Sequence, residues 1–329
     1  MGNESSNRIK DRFNNPILTR IYQGYQIPGS AFIRDQILPK LMVNVHTADG
    51  RKMLTTSTDI LRIINNVRVG RSKTAEIEVG TTKARLYKTE EHSLKIMVTK
   101  SDGKDYSADW REGMELAKVD FTQWLKEVQM LAREKAVADV VSSASTFTNS
   151  TALSGSNQWN DYVNSNPKAN IKTARQTVRG AAQAEINTAV MGIDVFEVLE
   201  DHPFLKKTNG VAPDGTVAVR SLTEAEVAKA LGIDRLVIGN VWYDNSKFGN
   251  DMSMTQLWGK FCSLLYTNPS PTPSVREKSF GYSFTLQDAI VDEYTVDDPK
   301  DAMFIRVVEE YDDVILEEKA GYIYSTAIA

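Results

Sequence analysis

The longest uninterrupted helical signal in the chain limits the folds that it can adopt. From Met114 to Ser143 the sequence contains neither glycine nor proline, and its apolar residues recur at helical spacing. At 1.5 Å per residue, these roughly thirty residues form a helix about 45 Å long. The sequence therefore predicts one long helix over 107–143 that supports the rest of the fold and is longer than the average helix of a globular protein. The apolar residues expected on its packed face are Leu116, Val119, Phe121, Trp124, Leu125, Val128, Leu131 and Val137.

Residues 1–45, ahead of this helix, are predicted to form an extended N-terminal arm. Pro16, Pro28 and Pro39 interrupt the segment. Because the apolar residues between the prolines are too few to build a core, an arm of this kind is stable only when it lies on another surface.

Residues 46–105 are predicted to form an extended loop built as a β-hairpin. Apolar and polar residues alternate in several short runs, and turn residues such as Gly70 and Gly80 separate those runs. A long hairpin with a strongly charged face buries little apolar surface by itself. We therefore expect it to lie against a neighbouring surface as well.

The long helix and the segment after it make up a third region, residues 106–164. Residues 165–265 are then predicted to form a small sheet covered by helices, since strand-like runs at 186–191 and 235–239 alternate with helical segments. One of those helices is preceded by two capping boxes, Ser221 with Glu224 and Thr223 with Glu226, and ends at Gly232.

In residues 266–329 the strand-like alternation returns, and these strands are expected to pack against the long helix. Together the regions predict an α+β fold.

The net charge of −4 conceals an uneven distribution along the chain. Residues 1–110 hold 18 Lys and Arg against 12 Asp and Glu, and the remainder holds 21 against 31. The basic residues are spread through strand-like sequence and are not clustered on one helix with aromatic residues, which argues against a nucleic-acid-binding domain. One interpretation is a set of solvated faces. The other is that the basic part of one copy docks on the acidic part of another.

The second interpretation predicts an interface between copies of the chain. Its basic side consists of Arg62, Arg68, Arg71, Lys83 and Arg85, and its acidic side consists of Asp297, Asp298, Glu309 and Glu310.

The chain lacks a recognisable catalytic or metal-binding motif. Cys262 is the one cysteine, so neither an intrachain disulfide nor a thiolate zinc cluster can form, and the three histidines are widely separated. No GxSxG motif occurs, and the sequence around Lys73 lacks the glycines of a phosphate loop. We expect no catalytic residues, no cofactor and no metal. We also expect no membrane-spanning segment, because no run of about 18 apolar residues is present.

The segment WNDYVNSNPKANIKTARQTVR, residues 159–179, collects aromatic and polar residues ahead of a helix. It holds one carboxylate and neither histidine nor cysteine, which is too little for acid–base chemistry. We interpret it as a junction between the long-helix region and the 165–265 region. Its predicted members are Trp159 and Tyr162 as packing anchors, Asp161 and Pro167 in the turn, and Asn170 as the helix cap.

A series of short motifs resembles the major capsid proteins of tailed bacteriophages, which share the Johnson (Hong Kong 97-type) fold. Each motif is short, but their order behind an arm, a long hairpin and a long helix covers nearly the whole chain. In chain order they are Trp159-Asn-Asp-Tyr162, Ser165-Asn-Pro167, Asn187-Thr-Ala-Val-Met-Gly192, Leu199-Glu-Asp-His-Pro203, Leu231-Gly-Ile-Asp-Arg-Leu-Val-Ile-Gly239, Trp242-Tyr-Asp244, Leu257-Trp-Gly259, Phe280-Gly-Tyr-Ser-Phe284 and Ala320-Gly-Tyr-Ile-Tyr324.

The resemblance implies a role as a shell subunit. Residues 1–45 would be the N-terminal arm, 46–105 the extended loop, 106–164 a peripheral domain with its spine helix, and 165–265 an axial domain, while most of 266–329 would return to the peripheral domain. Copies would form hexamers and pentamers of an icosahedral phage head around double-stranded DNA. Low overall basicity fits a wall that does not grip DNA tightly.

The same resemblance implies partners and a location. The arm starts almost at once, so a separate scaffolding protein is expected, together with a portal, and the subunit would be made in the host cytoplasm and end in the virion. No lysine of the extended loop matches the crosslinking motif of some family members, so the resemblance does not extend to a crosslink. Two alternatives stay open: an encapsulin-type nanocompartment shell, which encloses protein cargo, and an α/β enzyme that uses the 165–265 region.

Overall fold

The computed structural model describes residues 9–27, 32–47, 87–208, 220–247, 249–268, 279–296 and 302–329. The strands, in chain order, are β1 (Ile9–Asn14), β2 (Lys40–Met42), β3 (Glu90–Val98), β4 (Asn149–Thr151), β5 (Thr188–Gly192), β6 (Arg235–Gly239), β7 (Trp242–Asp244), β8 (Met254–Gln256), β9 (Cys262–Leu265), β10 (Gly281–Val296), β11 (Met303–Ile315) and β12 (Gly321–Tyr324). The helices are α1 (Pro16–Gly24), α2 (Arg34–Ile37), α3 (Lys100–Tyr106), α4 (Trp110–Ser142), α5 (Pro167–Ala182), α6 (Ile193–Glu200), α7 (Pro203–Thr208) and α8 (Glu224–Leu231). Within these ranges no helix is both long and apolar enough to cross a lipid bilayer.

The long helix predicted over 107–143 is present as α4, 33 residues long. It begins after Asp109, whose side chain accepts a hydrogen bond from the backbone N–H of Arg111 and so satisfies one of the free donors of the first turn. The serine-rich sequence that follows continues as a short 3₁₀ turn, Ala144–Thr146.

The first sheet is built on a long antiparallel hairpin, β10 and β11, whose register runs from Gly281 opposite Ile315 to Thr295 opposite Met303. β3 extends it on the β11 side, and both β1 and the short parallel strand β2 lie on the β10 side. We call this sheet, together with α1–α4, the spine layer. The prediction that the C-terminal strands pack against the long helix is confirmed for β10 and β11.

The N-terminal half of α4 lies on this sheet. Met114, Ala117 and Leu125 pack with Val291 of β10 and Ile305 of β11 in one apolar cluster. Burial of these side chains fixes the helix across the hairpin, because apolar area removed from water is the main favourable term.

The expectation that the N-terminal arm is extended throughout is wrong for the described residues. Pro16 does not interrupt the chain but occupies the first turn of α1, where a missing N–H costs nothing, and Asn15 caps that helix by accepting from the N–H groups of Ile17 and Leu18. Leu18 and Tyr22 are buried against α4 and the hairpin. The described arm therefore lies on its own chain.

The predicted extended loop is described only at its two ends, since residues 48–86 lie outside the described ranges. At its C-terminal end the strand-like run is β3, which pairs with β11 from Glu90 to Val98. The hairpin prediction is wrong for the last residues of the segment, because Lys100–Tyr106 form helix α3. Thr99 and Asp102 form a capping box that starts this helix.

The second sheet has the strand order β4-β12-β9-β5-β6. One face packs against helices α5–α8 through side chains such as Met191 and Leu264, and the other packs against the C-terminal end of α4 through Val190 and Ile323. We call this sheet and α5–α8 the lobe. It contains the small helix-covered sheet that the sequence predicts, but it also takes β4 and β12 from outside residues 165–265. Tyr322 and Tyr324 consequently pack in the lobe and not on the long helix.

The predicted packed face of α4 is wrong for three of its eight residues and confirmed for the other five, of which Leu125 and Val137 are buried and Val119, Phe121 and Leu131 are partly buried against the cores. Leu116, Trp124 and Val128 are exposed by 49%, 54% and 42%. The helix buries a set that includes several polar residues, because its two halves serve different layers. That set is Gly113, Met114, Ala117, Lys118, Thr122, Leu125, Gln129, Arg133, Glu134, Val137, Ala138 and Val141.

Candidate assembly surfaces and buried nodes

One serine and one histidine of the lobe meet in a way that could suggest catalysis. His202 Nε2 lies 3.0 Å from Ser165 Oγ, and both residues are buried. The N–H of Phe204 donates to His202 Nδ1, so the ring proton is on Nε2 and is donated to Ser165, whose hydroxyl donates to the carbonyl of Asp161. Burial lowers the pKa of His202 to about 4.

This pair therefore acts as a cap and not as an activated nucleophile. A general base needs access to substrate and a pKa near the working pH. The imidazole of His202 has neither, since its ring is fully buried and burial lowers its pKa. The backbone carbonyl of His202 starts α7 by accepting from the N–H groups of Leu205 and Lys206.

The one cysteine of the chain is enclosed in the same way. Cys262 is fully buried in β9, and burial raises the pKa of its thiol, which removes the thiolate needed for nucleophilic chemistry. Among the described residues, no group of three or more His, Cys, Asp or Glu side chains is arranged to hold a metal ion.

Trp159, the first predicted junction residue, packs in the apolar cluster of the lobe, on the sheet face away from α4, so the role of this segment as a joint to the long-helix region stays a prediction. Trp159 is fully buried; its backbone N–H donates to the carbonyl of Ala327, and its ring lies 5.8 Å from that of Tyr324. Asp161 closes the turn by accepting from the N–H groups of Val163 and Asn164, and its hydrogen bonds to Asn164 hold the pKa of this carboxyl below its usual value. These contacts join the segment before α5 to the C-terminal end of the chain.

The remaining predicted junction residues behave less uniformly. Pro167 is the first residue of α5 and is buried. Tyr162 is 40% exposed and meets His202 edge-on at 5.4 Å. The prediction that Asn170 caps the helix is wrong, because the cap is Asn166, whose side chain accepts from the N–H of Ala169. Asn170 lies inside α5, where its carbonyl accepts from the hydroxyl of Tyr324.

One buried carboxylate connects three parts of the molecule. Glu134 of α4 is 1% exposed and accepts hydrogen bonds from the N–H groups of Ile33 and Arg34, each at 3.0 Å. Its Oε1 also accepts from Trp258 Nε1 at 3.0 Å, and Trp258 packs under the lobe sheet. Burial raises the pKa of Glu134, and the three donors oppose that effect. Glu134 therefore holds the start of α2 and the edge of the lobe to the same point of the spine helix.

A second buried cluster joins α4 to β11. Arg133 donates to Glu309 at 3.2 Å and to Ser283 at 2.9 Å, and its guanidinium stacks 3.5 Å from the ring centre of Tyr311. The hydroxyl of Tyr22 also donates to Glu309. Burial raises the pKa of Glu309.

This arrangement corrects one predicted interface residue. Glu309 is 8% exposed and is held inside the chain by Tyr22 and Arg133, so it does not present a free carboxylate to another copy. Its neighbour Glu310 points the other way and is half-buried, where it accepts from the hydroxyl of Thr89 and meets the ring of His46. Alternation of side chains along β11 explains why adjacent glutamates differ.

The other predicted interface residues lie outside the described ranges, so their predicted role stays a prediction. These residues are Arg62, Arg68, Arg71, Lys83, Arg85, Asp297 and Asp298.

A row of exposed apolar side chains on α4 is the surface that sequence reasoning placed on the wrong side. Leu116, Trp124 and Val128 are exposed and lie eight and four residues apart. Side chains separated by multiples of four residues form one ridge along a helix, so these three lie on the same ridge. We call these three residues the exposed ridge. Tryptophan is enriched at protein interfaces, so the exposed ridge is a candidate contact surface.

Comparison with known proteins shows which solved structures share this architecture. No protein-family model matches the sequence, and no curated protein sequence matches it. The structure is similar to that of a phage-related protein from Bordetella bronchiseptica RB50, with a TM-score of 0.68 and 20% identity over 97% of this chain and 98% of that one. The chain has the Hong Kong 97-type fold.

Two further structures share this fold at lower similarity. One is a prophage protein assigned as a capsid protein in E. coli CFT073, with a TM-score of 0.52 and 11% identity over 96% of this chain and 100% of that one. The other is a virus-like particle from Pyrococcus furiosus, with a TM-score of 0.50 and 12% identity over 93% of this chain and 95% of that one. The structural similarity thus extends over 93% to 97% of this chain.

Proposed function

We propose that this chain is a major capsid protein that assembles into hexamers and pentamers of an icosahedral phage head enclosing double-stranded DNA. The observation that carries the proposal is the Hong Kong 97-type fold over 97% of the chain, combined with an apolar ridge that the chain itself leaves uncovered. In this assignment the spine layer is the peripheral part and the lobe is the axial part of each subunit.

The exposed ridge supports association with further copies of the same chain. Covering Trp124 and Val128 would remove apolar area from water, at about 25 cal/mol for each Å² buried. The fold points to a second copy as the occupant, since the related structures include a virus-like particle and a protein assigned as a capsid protein.

The test is assembly of the expressed protein, alone and with a co-expressed scaffolding protein. We expect closed particles in negative-stain micrographs and a matching fast-sedimenting species in analytical ultracentrifugation. A chain that stays monomeric or dimeric under all these conditions would contradict the proposal. The same proposal includes two partner proteins, a scaffolding protein and a portal. It also includes assembly in the host cytoplasm before incorporation in the virion.

The similarity to a virus-like particle favours one alternative, a nanocompartment shell that encloses protein cargo. The contents of purified particles distinguish the two. Nuclease-protected DNA supports a phage head, and a stoichiometric second protein without DNA supports a nanocompartment.

The predicted charge docking can be tested in the same assay. Reversal of Arg62, Arg68, Arg71 and Arg85 to Glu is expected to lower particle yield while the far-UV circular dichroism of the unassembled chain stays unchanged. An unchanged yield would remove docking of the basic loop on an acidic neighbour from the proposal.

A further inference from the structure

A basic groove lies on the solvent-exposed surface of the lobe, between α5 and α8. Its first wall is a stripe of cations at spacings of four, three and four residues along α5, and its second wall is Lys229 with the end of α8 at Gly232. The groove is open and encloses about 420 Å³. The stripe consists of Lys168, Lys172, Arg175 and Arg179.

The helix pattern explains why these cations share one side. The opposite face of α5 carries Ile171, Ala174, Val178 and Ala182, all fully buried in the lobe core. Since that stripe faces inward, the cations at the intervening positions face solvent.

The charge of the groove is poorly balanced. Glu185 is the carboxylate that meets it: Oε1 accepts from Arg175 at 2.5 Å and Oε2 from Arg179 at 2.6 Å. Hydrogen bonding to Arg179, opposed in part by burial, holds the pKa of Glu185 below its usual value. Among the described residues, no carboxylate lies within 4.0 Å of the amines that complete the groove, which are those of Lys168, Lys172 and Lys229.

The two arginines are held in place, which fixes the shape of the groove. Arg175 also donates through Nη1 to the carbonyl of Gly232 at 2.9 Å, so it joins α5 to the end of α8. Gly232 has a φ of 72°, the left-handed conformation that ends α8. The lysines therefore extend from two helices, α5 and α8, that the Arg175 contact holds together.

The composition of the groove selects the ligand. Aromatic residues, on which bases of a single strand would stack, do not line it, and its one side-chain amide is that of Gln176. Its apolar lining residues, Ala230 and Leu231, are 2% and 3% exposed, so it lacks the apolar centre that protein interfaces carry. What remains is a row of cations suited to backbone phosphates, which position a duplex without reading its sequence.

The length of the stripe is also compatible with a duplex. The twelve residues from Lys168 to Arg179 are separated by eleven helical steps, which span about 16 Å. One strand of B-DNA presents a phosphate about every 3.4 Å along the axis, so the stripe can lie beside about five phosphates.

We propose that this basic groove contacts the phosphate backbone of duplex DNA without sequence preference, which would make this face of the lobe the one turned toward the packaged genome. The inference deepens the proposed shell function and rests on it. Three unpaired lysines and two partly neutralised arginines give weak, salt-dependent binding, consistent with a wall that touches DNA without immobilising it.

The experiment measures binding of unassembled full-length chain to a short labelled duplex of mixed sequence by fluorescence anisotropy, between about 50 and about 200 mM salt. The groove variant carries Lys168→Glu, Lys172→Glu and Lys229→Glu. The matched control makes the same change in net charge at exposed lysines outside the groove, with Lys95→Glu, Lys104→Glu and Lys260→Glu.

We expect the groove variant to bind at least about tenfold more weakly and its plot of log affinity against log salt to be flatter by about two to three units, since each phosphate contact contributes about 0.9. The control should stay within about threefold of the parent chain, because distant charges are screened at these salt concentrations. If circular dichroism shows that the groove variant is misfolded, the neutral set Lys168→Gln, Lys172→Gln and Lys229→Gln should give a smaller loss in the same direction.

Equal binding by parent and groove variant would overturn the inference. So would a groove variant that binds duplex normally but no longer forms particles, which would make the groove an interface with an acidic protein surface. The proposed function fails separately: a chain that forms no particles but loses duplex binding in the groove variant would contradict the shell and keep the groove.

Discussion

The lobe and the spine layer bury very different kinds of side chain. Every Asp, Glu, Lys or Arg that is buried in the described part of the chain belongs to the spine layer. These residues are Arg34, Lys118, Arg133, Glu134, Asp292, Glu293 and Glu309. The lobe is closed around an apolar cluster, and its buried polar groups are uncharged or, like His202, have a pKa lowered by burial.

The spine layer also leaves large apolar side chains outside. Leu116, Trp124 and Val128 are exposed on the same helix that buries Arg133 and Glu134. The lobe closes its core around apolar side chains, although Phe204 of α7 is 44% exposed. The spine layer fixes its elements with charges and hydrogen bonds, and it leaves a row of apolar side chains on α4 exposed. The comparison predicts that substitutions in the two regions separate folding from assembly.

The largest effect on folding is expected at Glu134, the contact between the two regions. Glu134→Ala leaves three buried donors without an acceptor, those of Ile33, Arg34 and Trp258. We expect the free energy of unfolding to fall by about 3 to 5 kcal/mol, measured by urea denaturation of the unassembled chain.

Glu134→Gln should fall between Ala and the parent, because one oxygen still accepts. Asp139→Ala is the control on the same helix, where an exposed pair with Lys135 contributes at most about 0.5 kcal/mol. A loss at Glu134 no larger than at Asp139 would show that this carboxylate does not hold the regions together.

The next effect concerns the buried pair Arg133 and Glu309. Glu309→Leu should cost about 2 to 4 kcal/mol because Arg133 keeps a buried charge without its carboxylate. The double variant Arg133→Met/Glu309→Leu should lose less than the sum of the two single changes, which gives a coupling energy from a double-mutant cycle.

The matched pair in the lobe is Arg175 with Glu185, which is exposed. Its double-mutant cycle to Ala should give a coupling of at most about 1 kcal/mol. Equal coupling in the two cycles would remove the distinction between a spine layer fixed by charges and a lobe fixed by apolar packing.

The elements of the lobe could be predicted from local signals, but the positions of Leu116, Trp124 and Val128 on α4 could not. The strand at 235–239 and the Thr223–Glu226 capping box were predicted and are present, because both depend on neighbouring residues. Asn166 was missed as the cap of α5, although an asparagine directly before Pro167 is itself a start signal.

The exposed positions of α4 could not be predicted because hydrophobicity does not tell which surface covers a residue. Trp124 and Leu125 are both apolar, yet Leu125 packs on the chain's own hairpin and Trp124 is exposed. In the same way, the paired acids of β11 do not reveal that Glu309 faces Arg133 while Glu310 faces outward. Such assignments depend on tertiary contacts and on other subunits.

A smaller effect is expected in the lobe, as a dependence of stability on pH. Burial lowers the pKa of His202 to about 4 in the folded chain, against about 6.5 when unfolded. Between these values the unfolded chain binds the proton more readily, so stability is full above pH 6.5 and is lost as the pH falls toward 4. The loss should be on the order of 2 kcal/mol.

His202→Asn separates this contribution from that of other groups. Asparagine can accept from the N–H of Phe204 as a cap but does not titrate, so the difference in unfolding free energy between parent and variant should shrink from pH 7 to pH 4. The spine-layer carboxyls Glu309 and Asp313, whose pKa values burial raises, are unchanged in the variant and cancel in the difference. A pH-independent difference would show that His202 does not contribute to the acid sensitivity of the chain.

The smallest effect on folding is expected where the effect on assembly is largest. Trp124→Ser with Val128→Ser removes exposed apolar groups, so the unfolding free energy of the unassembled chain should change by no more than about 0.5 kcal/mol. Particle yield, measured by sedimentation, should nevertheless fall strongly, because these side chains would lose the partner surface that covers them. The apolar control Trp124→Phe with Val128→Ile should retain most of the yield.

Either of two outcomes would break the comparison. If the serine variant unfolds as easily as Glu134→Ala, the ridge belongs to the chain's own core. If it folds and assembles as the parent does, the ridge is a solvent-exposed surface, and the contacts that join subunits lie elsewhere. Loss of particles with retained folding would instead show that one helix divides its residues between two tasks: charged groups such as Glu134 that organise the subunit, and apolar groups such as Trp124 that become buried when a second copy arrives.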